Sequence, residues 1–189
     1  MKRIPEPELM NTHKQVKAYS EADFSESDKS VLWSLLELVH EKDLVIDESM
    51  LIIDMGCGPG NIAENIALKW PEAKVIGIDG SIEMLLVAKQ REKILRQSHN
   101  SLNLSYSHFD ISDLAEDRSN MNLKANVIVS NSVLHHLHDP SVFWKALKRI
   151  SKPGSITFHR DLRRPNSYKD SIELQRKYLP SSPLILVQD

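Results

Sequence analysis

Residues 51–61 read Leu-Ile-Ile-Asp-Met-Gly-Cys-Gly-Pro-Gly-Asn, and no other stretch narrows the possible folds as much. Leu51, Ile52 and Ile53 form a short apolar run of the kind a parallel strand needs when helices cover both of its faces. Asp54 sets a carboxylate near the strand's end, and Gly56, Gly58 and Gly60 leave the backbone bare, so that a ligand can approach without meeting a Cβ. The pattern predicts a helix from Asn61 to about Lys69, with its first N–H groups aimed at the loop. Strand, glycine-rich turn and helix together predict a binding site for a molecule with a negative group.

The same grammar runs through the rest of the chain. Lys74 to Asp79 is an apolar strand ending in an acid, and Ser81 is an N-cap for a helix to about Gln97 with Ile82, Leu85, Leu86 and Ala88 on its inner face. Leu102 to Phe109 alternates as a third strand and again ends at an acid, Asp110; Ala125 to Val129 is a fourth, ending at Ser130 and Asn131. Asp139 as N-cap and Pro140 in the first position open a helix carrying Val142, Phe143, Ala146, Leu147 and Ile150. Pro153 and Gly154 turn the chain into a fifth strand, Ser155 to His159. Upstream, a short helix is expected around Leu9 to Tyr19, and Ser27 is read as the cap of a helix from Asp28 to about Lys42 with Val31, Leu32, Leu35, Leu36 and Val39 in one stripe. Strands and helices alternating at this spacing predict an α/β fold, a Rossmann-like three-layer αβα sandwich on a mostly parallel sheet of five or six strands with right-handed crossovers. In such sheets ligands bind at the carboxyl ends of the strands, where Asp54, Asp79, Asp110 and Asn131 all fall.

Composition removes several classes of function. At 189 residues the chain fits one domain with a real core, and a net charge of -2 gives no electrostatic case for nucleic acid. Cys57 stands alone, which excludes an internal disulfide and a zinc knuckle. Residues 1–10 lack the apolar core of a signal peptide, and no apolar run approaches the roughly 18 residues of a membrane span, so the expectation is a cytoplasmic protein.

Spacing narrows the ligand. A dinucleotide fingerprint wants glycine where Asn61 stands, and no Gly-Lys-Ser/Thr follows for a nucleoside triphosphate. Asp79, after the second strand, still offers two oxygens to a ribose diol, which points to a nucleoside with no required pyrophosphate. At this point four motifs stand in order: Asp54 to Gly60, then Gly77-Ile-Asp79-Gly80-Ser81, then Phe109-Asp110-Ile111, then Asn131 to Pro140 with its Leu-His-His-Leu-His run. Together they resemble class I S-adenosylmethionine-dependent methyltransferases, and the last motif is most similar to the small-molecule branch that includes the ubiquinone and menaquinone biosynthesis methyltransferases. The resemblance covers about residues 48–160. It implies S-adenosylmethionine as cofactor and a small-molecule acceptor. It implies that Gly56, Gly58 and Gly60 pass the methionine part of the cofactor, that Asp79 holds the ribose hydroxyls, that Asp110 meets the adenine amino group with Ile111 and Met84 against the ring, and that Asn131 lies near the sulfonium and carboxylate; Asp54, Cys57, Gly80 and Ser81 are counted among the cofactor-binding residues.

Several residues keep a second, plainer explanation. Asp54 either meets the cofactor or accepts N–H groups of its own loop, and Asp110 either meets the adenine or caps the next turn. His135 and His136 are the catalytic candidates, one imidazole facing the cleft as a general base; no metal is expected, because the His135 and His138 pair lacks a third ligand once Asp139 serves as a cap. Cys57 is either a thiol with a lowered pKa at a helix N-terminus or a small residue tolerated beside the backbone. Tyr19 and the N-terminal segment form a lid or a frayed end, and Arg160, Arg163 and Arg164 clamp an acidic acceptor or form a solvated basic edge.

The organisation expected is an N-terminal helical segment over residues 1–47 that is a possible lid, a binding core over 48–165, and a tail over 166–189 with a helix from Ser167 to Tyr178 and a short apolar run from Leu184 to Val187. That tail is too short for the family's closing pair of strands, so the expectation is either a fragment of a longer protein or a shortened member whose fifth strand keeps an open edge where a second copy can pair. Methyl transfer to a small acceptor by direct displacement leads; the alternative is a non-catalytic S-adenosylmethionine-binding or regulatory protein, and a nucleotide-dependent oxidoreductase comes third.

Overall fold

The computed structural model describes residues 9–116, 118, 123–162 and 165–178. Helices α1 (His13–Glu21) and α2 (Ser25–Glu41) precede a regular alternation of β1 (Leu51–Met55), α3 (Asn61–Lys69), β2 (Lys74–Asp79), α4 (Ile82–Leu95), β3 (Leu104–His108) and the single turn α5 (Ile111–Ala115). Then come β4 (Ala125–Asn131), a 3-10 turn at Leu134–His136, α6 (Pro140–Ile150), β5 (Ser151–Arg160) and α7 (Tyr168–Tyr178). The strands lie in the order β3-β2-β1-β4-β5 and every pairing is parallel. The order reverses between β1 and β4, which opens a crevice at their carboxyl ends.

Helices cover both faces of the sheet, as the unbroken apolar strands require. On one face Val31, Leu35, Ala63, Ile66, Leu85 and Ala88 from α2, α3 and α4 pack on Ile52, Val75, Leu104 and Val127. On the other, Leu114 of α5 and Phe143, Ala146 and Ile150 of α6 close over Ile53, Met55, Ile76, Ile78 and Ile128. Each large side chain sealed in this way contributes roughly 1.5–3 kcal/mol.

Local hydrogen bonding moves several boundaries. Thr12 accepts the Gln15 amide at 3.3 Å, so α1 begins at His13 instead of near Leu9. Asp23 accepts the Ser25 amide at 3.0 Å and starts α2 ahead of Ser27, whose hydroxyl receives Nη2 of Arg160 at 2.7 Å. Ile82 and Leu86, read as inner-face residues, are each 57% exposed, because α4 meets the core through Met84, Leu85 and Ala88. Pro153 and Gly154 form a bulge inside a longer β5, where the register steps from Ala125↔Ser151 to Val127↔Ile156. Ser167 lies outside α7 and caps it by accepting the Asp170 amide at 3.1 Å. Arg163, Arg164 and the run Leu184 to Val187 lie outside the described residues, and among the described ones the outer edge of β5 has no paired strand. Among the described residues no helix is long and apolar enough to cross a membrane.

Candidate functional site

The glycine-rich loop is built mainly by contacts inside the protein. The Gly56 and Cys57 amides both donate to the Ile78 carbonyl, at 2.8 and 3.0 Å, and the Gly60 amide donates to the Cys57 carbonyl at 3.0 Å. A Cβ on Gly56 would be driven into Val133 and one on Gly60 into the Tyr106 hydroxyl, whereas one on Gly58 would meet open space. Close approach of other side chains therefore explains two of the three glycines, and of the three only Gly58 would give an added Cβ open space.

Asp79 ties this loop to the next. Its Oδ2 accepts the Gly58 amide at 2.8 Å and its Oδ1 the Ser81 amide at 2.7 Å, so a carboxylate expected to wait for a ligand already has protein partners. Burial nevertheless raises its pKa, against those amides and the charge of His108. Each oxygen keeps a lone pair for a further donor. Asp54 lies behind the loop, 1% exposed, with its Oδ2 unpartnered among the described residues. Burial, reinforced by the charge of Asp79 and opposed by the Ala63 amide, pushes its pKa up to about 7.

The carboxyl ends of β1, β2 and β4, the start of α5 and the N-terminal segment enclose one cleft of about 130 Å³. Of the residues singled out from sequence, Gly56, Cys57, Gly58, Asp79, Gly80, Ser81, Met84, Asp110, Ile111, Asn131 and His136 lie in its wall. Asp54, Gly60 and His135 do not. Asp110 caps α5, its Oδ1 accepting the Ser112 amide at 2.9 Å and hydroxyl at 2.8 Å, so the capping explanation holds while the residue still borders the cleft. Asn131 Oδ1 accepts Nε of Arg160 at 2.7 Å, which ties Arg160 to the cleft wall and, through Ser27, to α2. Burial raises the Cys57 thiol's pKa, helped by the charges of Asp54 and Asp79, so the thiol is a core group and not an activated nucleophile.

The two histidines separate. Nδ1 of His135 lies 2.5 Å from Oδ1 of Asp161, while the adjacent His136 borders the cleft, the two rings 4.1 Å apart. Among the described residues no three His, Cys, Asp or Glu side chains group to hold a metal.

The N-terminal segment, with the Tyr19 singled out from sequence, and the start of α2 complete the wall. Leu9 packs over Gly80, and the Met10 carbonyl receives the Ser81 hydroxyl at 2.8 Å. Tyr19 and Phe24 sit 4.8 Å apart and both border the cleft. Burial and the charges of Asp28, Asp79 and Asp54 push the Tyr19 phenol up to about 12. Asp28, 8% exposed, also faces the cleft and receives Nδ2 of Asn61 at 3.0 Å. The cleft thus offers acidic groups, an apolar floor of Met84, Ile111 and Val133, and amides at the start of α3, a wall suited to a cationic nucleoside with an amino-acid tail.

A family model described as Methyltransferase domain matches residues 46–183. The chain is 30% identical over 111 residues to a trans-aconitate 2-methyltransferase of an Azoarcus species, covering 59% of this chain and 38% of that protein. It is 30% identical over 118 residues to a ubiquinone biosynthesis O-methyltransferase of Acinetobacter baumannii, covering 62% and 46%. Each match spans less than half of the relative's own length. The plantazolicin methyltransferase BpumL, crystallised with a monoazolic desmethylPZN analog and SAH, superposes with a TM-score of 0.68 at 21% identity over 93% of this chain and 62% of that one, a likeness of fold. The chain belongs to the methyltransferase domain family, on the α/β fold those enzymes share.

Proposed function

We propose that the protein is an S-adenosylmethionine-dependent methyltransferase acting on a small molecule. The observation that carries this reading is the convergence of Gly58, Asp79, Asp110, Ile111 and Asn131 on one cleft in a chain whose family model spans residues 46–183. When bound, S-adenosylmethionine supplies a methyl group on a sulfonium that carries its own leaving group. The chain's task is then binding, alignment and exclusion of water, with a base required only where the acceptor must lose a proton.

Asp79 takes the ribose hydroxyls on its remaining lone pairs, held still by the Gly58 and Ser81 amides. Met84 and Ile111 sandwich the adenine and Asp110 meets its amino group. Asn131, fixed by Arg160, borders the reacting end, and His136 is the base for an acceptor hydroxyl. The segment from Leu9 to Phe24 covers the cleft as a lid, consistent with the Ser81 hydroxyl gripping the Met10 carbonyl. Relatives named for trans-aconitate and for ubiquinone biosynthesis favour oxygen of a polar or aromatic small molecule as the acceptor atom. A cytoplasmic location and pairing of two copies through the β5 edge belong to the same proposal. Incubation with methyl-labelled S-adenosylmethionine and a panel of carboxylic acids and phenols tests it: label transferred to any of them supports the activity, and no transfer across the panel by folded protein that binds the cofactor counts against it.

A further inference from the structure

Ser132, the residue after β4, holds a backbone conformation that L side chains rarely adopt, with a φ of +57°. Asp43 is the other non-glycine residue with a positive φ among those described, and it has an ordinary cause: it follows the end of α2, where its amide closes on the His40 carbonyl at 3.0 Å. Ser132 ends no helix, and serine lacks the ease in this region that asparagine and aspartate have. Its surroundings hold it there. The Ser132 amide donates to the Arg160 carbonyl at 2.9 Å, and the next two amides, of Val133 and Leu134, both donate to Oδ2 of Asp161. Strain fixed by neighbours in this way clusters at functional positions.

The side chain carried on this backbone is in the cleft wall, between Asn131 and the turn that bears His136. A guanidinium only donates, so Nε of Arg160, 2.7 Å away, fixes Oδ1 of Asn131 as its acceptor and turns Nδ2 toward Ser132, whose Oγ accepts it at 3.3 Å. The hydroxyl hydrogen of Ser132 is then left without an acceptor among the described residues, half-buried beside Asn131. A hydrogen bond given to an attacking oxygen would occupy the lone pair that the reaction uses, so the partner that suits this donor is an oxygen beside the attacking one. We infer that Ser132 is a specificity-determining residue for the methyl acceptor: its hydroxyl donates to an oxygen next to the one that takes the methyl group, and the cleft prefers acceptors with two neighbouring oxygens, a carboxylate or a catechol-type pair of hydroxyls. Ser132 keeps its proton and makes no covalent bond. The inference rests on the methyltransferase reading of the cleft, which places Asn131 at the reacting end.

Catechol and benzoate each carry two neighbouring oxygens, and phenol carries one. With methyl-labelled S-adenosylmethionine, the full chain is expected to label catechol or benzoate at least about tenfold faster than phenol, and the one labelled tells a diol acceptor from a carboxylate. Ser132→Gly removes the hydroxyl and relieves the backbone, whereas Ser132→Ala removes the hydroxyl and keeps the strain, so the glycine variant should melt at the higher temperature of the two. Both are expected to lower kcat/KM for the preferred compound by about tenfold, with phenol and the calorimetric affinity for S-adenosylhomocysteine unchanged within about twofold. Wild-type label spread equally over the three compounds or reaching none of them, a Ser132→Gly variant with undiminished kcat/KM, or losses that follow the melting temperature would each overturn the role of Ser132, while retained S-adenosylhomocysteine binding would leave the cofactor site standing. Wild-type protein that binds no S-adenosylhomocysteine would overturn the cofactor reading and this inference with it.

Discussion

The Asp161 carboxylate, one residue past β5, organises the turn that carries both histidines: its Oδ1 lies 2.5 Å from Nδ1 of His135, and its Oδ2 accepts the Val133 and Leu134 amides at 3.0 and 2.6 Å. Burial alone would raise the Asp161 pKa, but the His135 hydrogen bond and charge and the Leu162 and Leu134 amides bring it down to about 2. A carboxyl lowered in the folded state contributes stability above its unfolded value of 3.8 and loses it as pH falls toward about 2. Asp161→Asn is therefore expected to destabilise the protein by roughly 2 kcal/mol near neutral pH, the gap to wild type narrowing below about pH 4 in urea melts. A constant gap across that range would show that the loss comes from packing alone.

Asp54 predicts the opposite slope. Its folded pKa, about 7, stands above the ordinary 3.8, so the stability tied to its neutral form is complete below about pH 4 and lost as pH rises to about 7. Replacing it with asparagine removes an ionisable group that burial and Asp79 disfavour. Denaturation at pH 5 and pH 8 should show a smaller difference in Asp54→Asn than in wild type, by about 1–4 kcal/mol. An unchanged difference would place the Asp54 titration outside that window.

The loop glycines should divide by what surrounds them. Gly56→Ala places a Cβ into Val133 at a φ of +77°, and a loss of about 3 kcal/mol or more is expected. Gly58→Ala meets open space at a φ of +51° and should lose only about 1–2 kcal/mol while weakening S-adenosylhomocysteine binding, because the new methyl group enters the cleft. Thermal melts of the two variants check the ranking.

These contacts show where the sequence was readable. Apolar strands ending in Asp54, Asp79, Asp110 and Asn131 announce a parallel sheet with its cleft at one end, since period and punctuation are local properties. Asp28 gave no such signal: an acid in the first turn of a helix is an ordinary partner of the helix dipole, and only the folded chain brings it to Asn61, 33 positions away in sequence. The tie from Arg160 to Asn131 and Ser27, and the hold of Asp161 on His135, depend likewise on elements that meet across the crevice. Gly60 misled for the same reason, because the Tyr106 ring that requires it comes from β3.

His135 and His136 differ by one position and should differ in effect. His136→Ala, at the cleft wall, is expected to lower turnover of an acceptor that must lose a proton by about 10²–10⁴ while leaving S-adenosylhomocysteine affinity within a few-fold. His135→Ala, which frees Asp161, should lower the melting temperature as well. Steady-state kinetics beside a thermal melt distinguishes the two, and equal behaviour would assign both to holding the turn.

The central claim is that this cleft holds S-adenosylmethionine, and titration calorimetry with its product S-adenosylhomocysteine tests that most directly. Saturable binding at one site per chain, much weakened by Asp79→Asn in a variant that stays folded, is the result predicted. No heat of binding from folded wild-type protein at millimolar ligand would contradict it.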